Sequence, residues 1–237
     1  MNLKERMIRQ WAPALVVAAL AGVGGCSAIS NLTGSGQSNQ AASGQNGSGA
    51  AQSPTGSEGC ILRVTLSTLL QEHVTLLADT TGADLGGRTD EFKAAEAALD
   101  ENSVHLANAI SNAFGSETGD SFLALWRKQN DALIEYANGL TAKDQDAQDK
   151  ADSEMEQFAE DFGKFMDEAT SSRLSKDAMS DMMKDDVLGL RRMIDAQASG
   201  DFGTAYSKIM VSEQDAQTLA STLTDEFIAQ FPAKFGS

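Results

Sequence analysis

His73, Gln129 and Asp186 stand 56 and then 57 residues apart, each interrupting a run of helically spaced apolar residues at the same level. In the first run the stripe is Leu62, Leu66, Leu69 and then Leu76 or Leu77, and His73 falls on the face meant for the core. A second set repeats the offset with Asn102, Phe158 and Asp215, and His105 follows one turn beyond Asn102. If these runs converge, imidazole, carboxylate and carboxamide groups share one layer. Imidazole with carboxylate suits Zn, Mn or Fe, and facing helices commonly build such sites. A metal or small-ligand site would therefore draw on His73, Asn102, Gln129, Asp186 and Asp215. The same groups could instead bond to one another and fix helix register, or line a wet groove. The di-iron pattern of Glu three residues before His is missing, since Leu70 precedes His73 and Asn102 precedes His105.

Other residues capable of chemistry find less support. No Gly-x-Ser-x-Gly elbow occurs around Gly34-Ser35-Gly36, no strand leads into a phosphate-binding glycine loop, and Cys60 has no local base. The chain is not expected to be an enzyme. Asp144, Asp146 and Asp149 cluster without the glycine and distal glutamate of a calcium loop, so they read as the favourable start of a helix. Met179, Met182, Met183, Met193 and Met210 fall at helical spacing and read as adaptable core. Trp126, beside Arg127, occupies the position equivalent to Leu70 and reads as core as well.

The elements that must position these groups are helical. Pro13, Pro54 and Pro232 are the only prolines, and ten of the 21 glycines precede Cys60, so the remaining 178 residues are poor in turn formers. Periodicity predicts helices over 61–79, 90–114, 119–138, 145–169, 176–198 and 202–230, with Thr89, Ser116 or Thr118, Ser175 and Asp201 as N-caps. Leu66, Phe122 and Met179 correspond, as do Leu70, Trp126 and Met183, and Leu77, Leu133 and Leu190. Leu106, Phe162 and Leu219 obey the same offset. The expected fold class is all-α: a six-helix bundle or array of three tandem antiparallel hairpins with a period of about 57 residues.

Ahead of the helices, Lys4, Arg6 and Arg9 precede an apolar run from Ala14 to Val23. That pattern reads as a signal peptide over 1–25, because the run is too short for a stable membrane span. Val23-Gly24-Gly25-Cys26 resembles the lipobox of bacterial lipoproteins, which implies diacylglyceryl attachment at Cys26. Cys60 would then lack a partner within the chain. From Ser27 to Gly59, 24 of 33 residues are Gly, Ser, Gln, Asn or Thr, which reads as a disordered tether with a reach of about 30 Å. Residues 60–237, the helical domain, carry 15 basic and 32 acidic side chains. Nucleic acid and bare anionic lipid are therefore poor partners. The expectation is an extracytoplasmic protein held to a bacterial membrane by lipid, binding a small molecule, a metal ion or a protein.

The strings LLQEH (Leu69 to His73), LWRK (Leu125 to Lys128), IDAQASGD (Ile194 to Asp201) and AQFPAKF (Ala229 to Phe235) resemble a group of exported bacterial helical-repeat proteins of unsettled function. Some of that group are attached to copper amine oxidase N-terminal-like domains. The resemblance covers about 60–237 and implies histidine at the positions of His73, Gln129, Asp186 and Asp215, with tyrosine at Phe158. Only His73 matches, and the two aspartates could still ligate a hard cation.

Overall fold

The computed structural model describes residues 57–235; the expected signal peptide, Cys26 and most of the expected tether lie outside the described residues. Within them the chain is all-helical: α1 (Glu58–Leu85), α2 (Thr89–Phe114), α3 (Ser116–Ala142), α4 (Gln145–Ala169), α5 (Lys176–Ser199), α6 (Phe202–Gln230) and the short α7 (Pro232–Phe235). No described helix is long and apolar enough to cross a membrane.

Local chemistry explains most boundaries. The side chains of Ser57, Asp144, Ser175 and Asp201 accept from the backbone N–H of Cys60, Ala147, Ala178 and Thr204, satisfying donors that the first helical turn leaves open. Thr89 is not a cap, because α2 begins at it and its N-cap, Arg88, makes no side-chain cap bond. Neither Ser116 nor Thr118 caps α3. A single residue, Gly115, joins α2 to α3 at φ 99° and ψ 163°, a conformation that side chains disfavour. At the far end of α5, Gly200 takes the left-handed conformation at φ 75°, and the Asp201 N–H bonds back to the Ala196 carbonyl at 2.9 Å.

Helix α1 overruns its expected end by six residues. Thr80 and Thr81 read as breakers, yet their hydroxyls donate to the Leu76 and Leu77 carbonyls at 2.7 and 3.0 Å. Both threonines are fully buried. The Thr81 hydroxyl also meets Gln197 Oε1 at 2.8 Å, so packing against α5 overrides local preference. Glu58 and Gly59, assigned above to the tether, form the first turn of α1. A Cβ on Gly59 would sit 2.6 Å from the Phe235 carbonyl, so the chain end closes over the helix start. Cys60, in the same turn, is disulfide-bonded; the expectation that it lacks a partner within the chain held only for a protein lipidated at Cys26.

Each helix from α1 to α6 packs on its neighbour in sequence, α6 packs on α1, and α1, α3 and α5 also touch one another. The core lies where these three meet their outer partners. Leu66, Phe122 and Met179 are buried, as are Leu77, Leu133 and Leu190, and Leu106, Phe162 and Leu219. Trp126 is buried against Phe122, stacked at 5.2 Å, in a T-shaped contact with Phe158 and tilted against Phe162. Met179, Met183 and Met193 belong to this core, but Met210 is 69% exposed and does not. Two glycines permit close crossings: a Cβ on Gly119 would fall 2.8 Å from the Ala107 carbonyl, and one on Gly163 2.4 Å from the Lys176 carbonyl.

Candidate functional site

The buried polar layer is built on the inner helices. His73 on α1 is buried, and the Trp126 indole N–H points at its Nδ1 from 3.4 Å. A ring nitrogen that accepts is unprotonated, so the proton of the neutral ring sits on Nε2. That Nε2 finds no hydrogen-bond partner among the described residues. Burial lowers the His73 pKa to about 4, which keeps the ring neutral at physiological pH.

Gln129 on α3 is fully buried, and neither atom of its carboxamide completes a hydrogen bond among the described residues. It nevertheless lies close enough to the Asp186 carboxyl to favour that group's charged form. Asp186, on α5, is pushed up to about 7, first by burial of its carboxyl and second by the neighbouring charge of Asp215. The residue as a whole is only half-buried, so part of its side chain reaches solvent and desolvation acts on it less completely than on His73.

The outer helices contribute unevenly. Asn102 is buried on α2, where its amide donates to the Leu69 carbonyl and to Glu72 Oε2, both at 3.0 Å, leaving its Oδ1 without a partner. Phe158 is core. Asp215 is exposed, so the expectation that it joins the buried stripe is corrected: Ser212, Ala216 and Leu219 take the inward face of α6 instead. His105 is exposed too, leaving one imidazole in the layer. The structure thus brings Gln129 to Asp186 and Asp186 to Asp215, while His73 meets Trp126 and Asn102 meets α1. No group of three His, Cys, Asp or Glu side chains among the described residues could hold a metal ion.

A different arrangement lies at one end of the helices. Here the C-terminal turns of α1, α3 and α5 and the first turns of α6 surround a cleft of about 460 Å³, lined among others by Asp79, Arg88, Thr141, Gln197, Phe202 and Tyr206. Gln197, among the lining residues, donates to the Ala78 carbonyl at 2.9 Å while its Oε1 faces Thr81. Phe202 and Tyr206 are 63% and 62% exposed, the only exposed aromatics among the described residues. Four residues apart, they share one face of α6. Sequence reasoning missed this site because it read Met210 as core and gave Phe202 and Tyr206 no face of their own. The available signal was a second stripe, Phe202, Tyr206 and Met210, displaced from the buried Ala205, Ser212 and Ala216. None of the residues of the polar layer lines this cleft.

Comparison with protein-family models, with curated proteins and with solved structures gives no match.

Proposed function

We propose that the chain is an exported, lipid-anchored protein of the bacterial cell envelope whose helical domain binds a small molecule, without catalysis, in the cleft between α1, α5 and α6. The observation that carries the binding half is the pair Phe202 and Tyr206, left in solvent beside a concave surface while Trp126 and Phe158 are buried. The anchoring half rests on the sequence from Lys4 to Cys26 and on the resemblance to exported helical-repeat proteins.

In this reading the domain consists of three hairpin repeats, α1 with α2, α3 with α4 and α5 with α6. Equal burial at the positions of Leu66, Phe122 and Met179, and of Leu77, Leu133 and Leu190, supports it. The layer of His73, Asn102, Gln129 and Asp186 then serves helix register rather than a ligand. Its enclosure favours that role, since Asn102 spends its donor on α1 and His73 accepts from α3.

The test is thermal melting of the mature chain with a panel of small cations, anions and neutral compounds, for wild type and a Phe202→Ser/Tyr206→Ser double variant. A compound that raises the melting temperature of wild type alone supports the cleft. No shift with any compound, or equal shifts in both proteins, contradicts it.

A further inference from the structure

We propose that the cleft takes a small organic cation, an ammonium or quaternary ammonium group carried on a short apolar body. This rests on the reading that the cleft is where the domain binds.

Three features agree on the sign of the ligand. The first is aromatic: Phe202 and Tyr206 line the cleft, and the negative quadrupole of a ring face attracts a cation and repels an anion. The second is the backbone. Helices α1, α3 and α5 all end at the cleft without a basic residue in their last turns, so their carbonyl ends, met in part by the backbone N–H groups of Gly86, Lys143 and Gly200, present partial negative charge there. The opposing amide end of α6 is already occupied by Asp201, whose Oδ1 accepts from the Thr204 N–H at 3.1 Å and whose Oδ2 accepts from the Thr204 hydroxyl at 2.7 Å. The third is side-chain charge. Asp79 supplies a carboxylate at the rim, while the one lining cation, Arg88, is paired with Glu91 at 2.6 Å. An anion would meet the carbonyl ends and Asp79, and a neutral body would cover Asp79 without pairing it.

Size agrees with a small ligand. A cleft of about 460 Å³ falls in the lower half of the range usual for small-molecule sites, roughly 300 to 1,000 Å³. The net charge of −17 over residues 60–237 would further concentrate cations around the domain.

The experiment is ligand-observed saturation-transfer NMR on the mature protein, with choline as the cationic probe and 3,3-dimethylbutan-1-ol as its neutral isostere. Choline is expected to bind about tenfold more tightly than the isostere. Its signal should vanish in the Phe202→Leu/Tyr206→Leu variant, weaken in Asp79→Asn and return in Asp79→Glu. Both aromatics are exposed, so these variants should melt as wild type does. If choline and the isostere bind equally and both need Phe202 and Tyr206, the cleft reading stands and the cation is wrong. If neither probe gives a signal that the double variant removes, the proposal is overturned.

Discussion

The two ionisable groups of the polar layer pull stability in opposite directions with pH. His73 has its pKa lowered to about 4 by burial, so below pH 6.5 the unfolded chain binds the proton that the folded one refuses. Its contribution is complete above 6.5 and is lost as pH falls toward 4, up to roughly 3 kcal/mol. Asp186 is raised to about 7, so the folded chain holds the extra proton and its contribution is lost as pH rises from about 4 to 7. Urea unfolding should therefore show the stability gap between wild type and His73→Leu narrowing on acidification. The gap to Asp186→Asn should narrow on the way up, by a smaller amount because Asp186 is partly in water. Parallel pH profiles for wild type and both variants would contradict these assignments. Gln129, fully buried beside the Asp186 carboxyl, gives a third test. Gln129→Met removes the group that favours charged Asp186, so the pH at which the Asp186 contribution is lost should move up; an unchanged pH profile would show that the two side chains do not interact. The level of His73 and Gln129 was legible from their place in the apolar runs. The exposure of Asp215 was not, because α6 has two apolar stripes and the spacing alone does not say which faces α1 and α5.

For the helices, legibility followed local chemistry. Ser175 and Asp201 were readable as caps because a short polar side chain precedes a periodic run, and Ala178 and Thr204 donate to them. Ser175→Ala and Asp201→Ala should each lower stability by about 1 kcal/mol, whereas Thr89→Ala should change it little, since Arg88 and not Thr89 precedes α2. Thermal unfolding of the three variants checks this; a loss at Thr89 equal to the others would contradict it. What the sequence hid were features decided by a distant partner. The extra turns of α1 exist because Thr81 reaches Gln197, 116 positions away. The close crossing of α4 and α5 depends on Gly163, which no local rule marks as special. Gly163→Ala should push Lys176 and Ser180 outward and destabilise by roughly 1 to 3 kcal/mol.

For the whole molecule, the composition already indicated an all-helical body, since proline and glycine are concentrated outside it. The location of the binding surface was not legible, because it arises where the ends of four helices meet and no contiguous motif encodes it. Anchoring and binding also meet at the two cysteines. With two cysteines in the chain, a disulfide at Cys60 within one molecule and a lipid thioether at Cys26 are alternatives, because both need the same sulfur. Cys26→Ser should release the protein from membranes on fractionation, and a wild type already in the soluble fraction would contradict the anchor. The most direct measurement is native mass spectrometry of the mature protein extracted from its own membrane. The expected spectrum shows a chain beginning at lipidated Cys26 with a small non-covalent adduct that disappears in the Phe202→Leu/Tyr206→Leu variant. An adduct-free chain, or an adduct that survives the double substitution, would contradict binding in the cleft.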